Sequence, residues 1–244
     1  MIYFDYASTA PLNPEVLDTY TRLLTKLYAN ADSLHAPGRE AQRLMEKSRA
    51  QIAQLLSVRG DEIIFTSCAS EANSTAVKGF ALANRHRGNH LITTKTEHSS
   101  VAAAFAQLEQ EFGFRVSYIP VTAQGIVDTK ALYQALTKDT ILVSLMYVNN
   151  ETGAINPIEE VSAYVHEHSR AVVHVDCVQA LGKLKLPLSM LDMATFSAHK
   201  IYGLKGSAFF YKQRNIKLLP LINGGQQEQG IRGGTSNAPA NIVL

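Results

Sequence analysis

Segments with strand character alternate along this chain with longer segments whose apolar residues recur at helical spacing. Segment 141–147 is almost continuously apolar, a pattern typical of a strand whose two faces are both covered by helices. Strands that are separated by helical segments indicate βαβ units and parallel strand pairing. The sequence therefore predicts an α/β fold in which a mostly parallel sheet lies between helices.

The expected elements follow from the same periodicities. We expect strands at 62–65, 90–93, 114–119, 141–147, 171–175, 194–196 and 207–211. We expect helices at 14–28 and 39–56, from the 66–71 loop to about 84, and at 99–112, 129–136 and 158–168. The second of these helices should turn Leu44, Ile52, Leu55 and Leu56 toward a core.

Composition excludes several other classes of protein. The formal net charge is +2, which offers no electrostatic attraction for nucleic acid or for an anionic membrane surface. The two cysteines, Cys68 and Cys177, form no CxxC pair, so we expect neither a structural zinc ion nor any other metal site. No signal sequence and no apolar segment of membrane-spanning length is present. These features predict a soluble, cytoplasmic protein.

Parallel sheets bind ligands at the carboxyl ends of their strands, so polar residues that follow strands are candidates for chemistry. Loop 66–71 opens a helix, and its backbone together with the Ser70 hydroxyl suits a phosphate group. An ordinary helix cap explains Ser70 equally well. His98 follows the next strand, where a lone histidine is more often a surface or capping group. The Asn149-Asn150 pair after 141–147 is compatible with a simple turn.

Two charged residues also follow strands. Asp176 ends an apolar strand and needs a partner, either a cationic ligand atom or a nearby Lys or Arg. Lys200 follows an apolar segment, where a lowered pKa would make its amine a nucleophile, although most lysines are simply exposed. These candidates together make up the set of groups that pyridoxal phosphate requires: a phosphate site, an imidazole, an aspartate for a cationic ring nitrogen and a lysine amine.

At these residues the chain resembles a known family. The matching motifs are SLH at 33–35, GRE at 38–40, TEHSSV at 96–101, VNNE at 148–151, SAHKIYG at 197–203 and RGGT at 232–235. They are similar to those of the cysteine desulfurases in the class V aminotransferase group, which have pyridoxal-phosphate fold type I. The likeness extends from residue 3 to about residue 237, and TEHSSV favours the branch that serves iron–sulfur clusters and tRNA thiolation.

The resemblance implies a role for each matching residue. Lys200 would bind the cofactor covalently and act in catalysis with His98, whose ring would stack on the pyridine ring. Asp176 would pair with the ring nitrogen, Gln179 would contact the ring hydroxyl, and Asn150 would face cofactor and substrate. The phosphate would be bound by Ala69, Ser70, Ser197 and His199 in one subunit and by Thr235 of the other subunit.

The resemblance also implies an activity and its partners. The family converts L-cysteine to L-alanine, transfers the sulfur to an enzyme cysteine as a persulfide, and works as a homodimer that supplies a sulfur-acceptor protein, either a scaffold or a tRNA-thiolation enzyme.

We expect an N-terminal segment at 1–14, a large cofactor-binding domain at 15–236, and the start of a connection to a largely absent small domain at 237–244. The family's persulfide cysteine and carboxylate-binding arginine would lie in that small domain, so activity is expected to be impaired. Two alternatives stay open: a non-catalytic remnant that binds the cofactor, and another class V enzyme such as a selenocysteine lyase.

Two departures from the family pattern concern the expected phosphate site. Cys68 stands where the family usually has glycine, so it adds a side chain where the backbone is expected to approach the phosphate closely, and this is expected to perturb the loop. Gln229 replaces an arginine in the glycine-rich segment, so a positive charge is lost.

Overall fold

The computed structural model of the chain describes residues 2–244. Seven strands form one sheet: β1 (Ile63–Thr66), β2 (His90–Thr94), β3 (Arg115–Ile119), β4 (Thr140–Met146), β5 (Val172–Asp176), β6 (Met193–Ser197) and β7 (Ala208–Lys212). The strand order is β1-β7-β6-β5-β4-β2-β3. Only β7 runs antiparallel to its neighbours, so the predicted α/β fold with a mostly parallel sheet is confirmed.

Residues 2–244 also form seven α-helices: α1 (Pro14–Lys26), α2 (Ala36–Leu55), α3 (Ala69–Ala83), α4 (Ser99–Gln110), α5 (Thr129–Ala135), α6 (Ile158–His168) and α7 (Ala238–Ile242). Helices α3 and α4 pack on one face of the sheet, through Phe80 and Phe105 among others. Helices α2, α5 and α6 pack on the opposite face. The two layers explain why β4 is apolar throughout: Leu142 faces one layer and Val143 the other.

Helix α2 differs from the sequence expectation in two respects. Helix α2 begins at Ala36 rather than at 39, because Pro37 occupies its first turn and the His35 side chain accepts a hydrogen bond from the Gly38 N–H. Leu55, which was expected in the core, is 85% exposed, while Ala41 and Met45 are buried instead. Ile52 is buried, and Leu44 and Leu56 pack against the core as expected, so Leu55 alone of the four predicted residues lies off the core-facing side of α2.

None of the helices among residues 2–244 has the length and apolar character needed to cross a bilayer. The parallel strands β1, β2, β4, β5 and β6 all end at the same edge of the sheet. The segments that follow those five strand ends contain most of the predicted site residues.

Candidate active site

A cavity of about 600 Å³ opens at the carboxyl edge of the sheet. Its walls come from the N-terminal segment, from the start of α3 and from the segments after β2, β4, β5 and β6. The predicted site residues that line it are Ala69, Ser70, His98, Asn150, Asp176, Gln179, His199 and Lys200. The fold thus brings together eight residues that are spread over more than half of the sequence.

Asp176 is the last residue of β5, and its carboxylate is buried. Its two oxygens accept hydrogen bonds from the Asn73 amide at 2.8 Å and from the Val178 N–H at 3.0 Å. No lysine or arginine within residues 2–244 forms an ion pair with it, so the expected alternative of a salt bridge is not seen. Burial raises the pKa of Asp176, and a cationic ligand atom placed beside this carboxylate would oppose that rise.

Lys200 lies in the single 3-10 turn that follows β6. Its ammonium group donates hydrogen bonds to the carbonyl oxygens of Ala7 and Ser8, the latter at 2.7 Å. Partial burial, together with the positive charge of Lys183, lowers the pKa of Lys200 below its ordinary value. A lysine with a lowered pKa has more of its amine in the neutral, nucleophilic form at neutral pH.

His98 caps α4, because its Nδ1 accepts a hydrogen bond from the Ser100 N–H at 3.2 Å. The Ser100 hydroxyl lies 2.8 Å from the same nitrogen. The capping function that the sequence left open is therefore present. The imidazole also lines the cavity and is exposed there, so capping and ligand contact are compatible in this residue.

The start of α3 forms the predicted phosphate site. Cys68 is the N-cap, and its Sγ accepts from the Glu71 N–H at 3.5 Å, while Ala69 and Ser70 form the first turn. Cys68 has φ −162° and ψ 164°, an extended conformation that any residue adopts. The backbone at position 68 therefore does not require glycine, and the expectation that a side chain there perturbs the approach of the loop to a phosphate stays a prediction.

The remaining cavity residues are held by their neighbours. The Gln179 amide donates to the Ala7 carbonyl oxygen at 2.8 Å, and the Asn150 amide donates to the Glu151 carboxylate at 2.8 Å. His199 Nδ1 lies 3.2 Å from the Thr9 hydroxyl, and burial lowers the pKa of this histidine. The N-terminal segment, which the sequence did not implicate, thus contacts three of the predicted site residues.

Two predicted residues lie outside this cavity. Ser197 is the buried last residue of β6, one turn before Lys200. Thr235 lines a separate cavity of about 210 Å³ together with Arg232 and Asn241. The Arg232 guanidinium is 2.9 Å from the Glu71 carboxylate, which connects the glycine-rich segment to the first turn of α3.

Two polar residues beside the cavity were not predicted from the sequence, the half-buried Glu97 and the buried Asn73. Glu97 accepts hydrogen bonds from the Thr94 hydroxyl at 2.6 Å and from the Met146 N–H at 3.1 Å, and its Oε2 has no partner among residues 2–244. Burial, with the Asp176 charge as a smaller cause, raises the pKa of Glu97 to about 8. Glu97 stands within the TEHSSV motif, but Asn73 had no signal because it lies inside an ordinary helix.

The donors and acceptors around the cavity fit pyridoxal phosphate. The first turn of a 15-residue helix suits the phosphate, and the buried Asp176 carboxylate suits a protonated ring nitrogen. The Lys200 amine is available for the aldehyde, and the His98 ring is available for an aromatic contact. The cavity volume lies within the range typical of small-molecule sites.

Comparisons with known proteins agree with this fit. The family model "Aminotransferase class-V" matches residues 2–242. A NifS/IcsS protein homolog of Lactobacillus delbrueckii is 48% identical over the whole of this chain, and the putative cysteine desulfurase IscS 1 of Bacillus subtilis is 41% identical. A solved NifS-like protein superposes with a TM-score of 0.96 over 99% of this chain at 39% identity. A solved structure of SspA in complex with cysteine superposes with a TM-score of 0.95 over all of this chain at 35% identity.

The match covers only part of those relatives. The chain spans 64% of the length of the Lactobacillus and Bacillus proteins. It covers 67% of the solved NifS-like chain and 71% of the SspA chain.

Proposed function

The chain belongs to the class V aminotransferase family, and on that premise we propose that it binds pyridoxal phosphate and forms the cofactor-binding part of a cysteine desulfurase. The observation that carries this proposal is the placement of Lys200 and the buried Asp176 in one cavity beside the first turn of α3. The cysteine desulfurases among the relatives support L-cysteine as the substrate.

Bound pyridoxal phosphate would withdraw electrons from bonds at the substrate α-carbon, which is the chemistry that carbon–sulfur cleavage needs. Lys200 would hold the cofactor through its amine and move protons at the substrate carbon. Asp176 would keep a proton on the ring nitrogen, His98 would stack on the ring, and Gln179 would bind the ring hydroxyl.

The other site residues would bind the phosphate and the substrate. Asn150 would face both cofactor and substrate. We propose Ala69, Ser70, Ser197 and His199 as phosphate ligands within one subunit. Thr235 would serve the site of a second subunit in a homodimer, which is compatible with its position outside the cavity described above.

The proposed reaction breaks the carbon–sulfur bond of L-cysteine. The carbon takes up a proton and becomes L-alanine, while the sulfur atom passes to a thiolate and forms a persulfide. Neither of the chain's own thiols is well placed as acceptor: Cys177 is buried with a raised pKa, and Cys68 is the N-cap of the turn proposed to bind the phosphate, where bound cofactor would shield its sulfur. We therefore propose that these 244 residues alone bind cofactor well and turn cysteine over poorly.

The wider role rests on the resemblance of the TEHSSV motif at 96–101 to one branch of the family. We propose that the sulfur is passed to an acceptor protein, either a scaffold for iron–sulfur clusters or a tRNA-thiolation enzyme. Both cysteines are free, which suits a reducing compartment such as the cytoplasm.

The test is covalent cofactor binding at Lys200. The purified chain is mixed with pyridoxal phosphate, reduced with borohydride and digested, and the labelled peptide is identified by mass spectrometry. We expect the label on Lys200, a visible absorbance band before reduction, and loss of both in Lys200→Ala. Lys138→Ala is the matched control, because Lys138 is exposed and precedes β4 at the opposite edge of the sheet.

Adding amino acids then separates the candidate activities. A cysteine-dependent change in the band with formation of alanine supports a desulfurase, and a change with selenocysteine alone supports the lyase. Cofactor bound at Lys200 without any change supports a non-catalytic remnant. Absence of label on Lys200 in the folded chain overturns the proposal as a whole.

A further inference from the structure

The fully buried side chain of Asn73 in α3 joins two residues of the candidate active site. Its amide nitrogen donates to Asp176 Oδ2 at 2.8 Å and to the Ser100 hydroxyl oxygen at 3.0 Å. Ser100 Oγ lies 2.8 Å from His98 Nδ1. A single amide group is thus bonded directly to Asp176 and, through one hydroxyl, to His98.

The direction of each hydrogen bond in this series from His98 to Asp176 follows from the chemistry of these two terminal residues. The Ser100 backbone N–H donates to His98 Nδ1, so that nitrogen is an acceptor. The Ser100 hydroxyl therefore donates its proton to Nδ1 and accepts from Asn73. At the other end, a carboxylate accepts only, so the nitrogen of the amide has to face Asp176.

A third contact prevents the Asn73 side-chain amide from flipping by about 180°. The Thr195 hydroxyl donates to Asn73 Oδ1, and Thr195 lies beside Asp176 in the register of β5 and β6. A reversed amide would place its oxygen against the Asp176 carboxylate and its nitrogen against Thr195. That arrangement would lose the hydrogen bond to a charged group, which is among the stronger interactions available to a buried side chain.

We propose that Asn73 is a positioning residue which, locked by Thr195, keeps Asp176 an ionised acceptor and couples it to His98 through Ser100. The inference deepens the proposed function, because Asp176 and His98 are the residues proposed to contact the cofactor ring. Asn73 itself does not line the cavity, so it would act through Asp176 and His98 only.

Other charged groups also act on Asp176. The positive charge of Lys200 favours its ionised form, and His98 would do so only as an imidazolium, in which Nδ1 no longer accepts a hydrogen bond. Glu97 and Cys177 lie close enough for the Asp176 charge to raise their pKa values. His174, on the same strand, is buried with a lowered pKa, so it carries no positive charge near neutral pH. Asn73 and the Val178 N–H are the two hydrogen-bond donors to Asp176 among residues 2–244.

The experiment follows the Asp176 carboxyl carbon by NMR in the cofactor-free chain between pH 3 and 9. In Asn73→Ala we expect the midpoint of this titration to rise by about one to two pH units, the effect of removing one hydrogen bond to a charged group. In the isosteric variant Asn73→Asp, two carboxyls would lie within hydrogen-bonding distance, and one should titrate near or above pH 7.

Matched variants separate positioning from a loss of packing. Asn84→Ala removes another buried asparagine of the α3 region, which bonds Phe80 and Lys217 and does not touch the site. It should leave the Asp176 midpoint unchanged. Thr195→Val should raise the midpoint partly and Thr195→Ser should restore it, which keeps the test decisive if Asn73→Ala does not fold.

The proposal is overturned if Asp176 titrates alike in the wild type, Asn73→Ala and Thr195→Val. Its failure is distinguishable from failure of the proposed function, because the titration needs no cofactor. A second measurement connects the role of Asn73 with the proposed cofactor binding. The apparent Kd for pyridoxal phosphate should rise about tenfold or more in Asn73→Ala, the equivalent of one lost interaction of this strength. An unchanged Kd together with a shifted midpoint would refute the role toward the cofactor.

Discussion

Arg49 and Glu228 form a buried ion pair that joins α2 to the glycine-rich segment near the end of the chain. The guanidinium nitrogens lie 2.8 and 2.9 Å from the two carboxylate oxygens. Arg49 also donates to the Ile63 carbonyl oxygen at 2.6 Å, and Glu228 accepts from the Phe65 N–H at 2.8 Å. The pair therefore connects α2, β1 and the segment that carries Arg232 and Thr235.

Removing one member of this pair should destabilise the fold strongly. Glu228→Ala removes the buried carboxylate that pairs with the buried Arg49 and leaves the exposed Glu46 at 3.2 Å as its ion-pair partner, so we expect a loss of about 3 kcal/mol in the free energy of unfolding. The matched control is Glu40→Ala, which breaks the exposed Arg43–Glu40 pair of the same helix and should cost about 1 kcal/mol or less. Urea denaturation monitored by circular dichroism measures both, and equal losses would contradict the assignment.

Glu97 should make stability fall as pH rises. Its pKa is raised from 4.5 to about 8 in the folded chain, so between these values the folded state keeps a proton that the unfolded state has released. Stability is then lost from about pH 4.5 upward and levels off above about 8. Glu97→Gln should flatten this slope, whereas the exposed Glu111→Gln should not. Urea midpoints at intervals of one pH unit decide the matter, and an unchanged slope in Glu97→Gln refutes it.

His174 should produce the opposite dependence at acid pH. It is fully buried, its Nδ1 lies 2.7 Å from the Ser144 hydroxyl, and burial lowers its pKa to about 3. Below about pH 6.5 the unfolded chain takes up a proton that the folded chain refuses, so stability falls as pH decreases from 6.5 toward 3. His174→Leu should remove this acid sensitivity. The exposed His86→Leu should retain it, and identical acid profiles for all three proteins would exclude His174 as the cause.

The two thiols should differ in reactivity, because Cys68 is exposed and Cys177 is buried. Burial, with the nearby Asp176 charge, also raises the pKa of Cys177. We expect a thiol reagent to modify one cysteine of the folded chain rapidly and the second only after denaturation. Cys68→Ser should abolish the rapid phase.

The same assay reports on the cavity, since Cys68 lines it. Pyridoxal phosphate bound there should slow modification of Cys68. Two rapidly reacting thiols in the folded chain would show that Cys177 is more accessible than the fold allows.

The amino-acid sequence was sufficient to predict the class of fold and the edge of the sheet at which the candidate site lies. Apolar periodicity is a local property, so it placed the strands and therefore the loops that follow their carboxyl ends. Asp176, Lys200 and His98 could be singled out because each follows such a strand. The same periodicity did not identify every core-facing residue of a helix, as the exposed Leu55 of α2 shows. The side of a helix that faces the core depends on the neighbour against which the helix packs.

The pairing of the buried polar groups could not be predicted from the sequence and is visible in the folded chain alone. Asp176 and Asn73 are 103 residues apart, and Arg49 and Glu228 are 179 apart, with no periodicity that would indicate either contact. Likewise, the N-terminal segment reached Lys200 through backbone carbonyl oxygens, which carry no sequence signal. Hydrogen-bond partners are set by the three-dimensional packing of the elements, because a buried donor or acceptor needs a group of matching geometry at about 3 Å, whichever part of the chain supplies it.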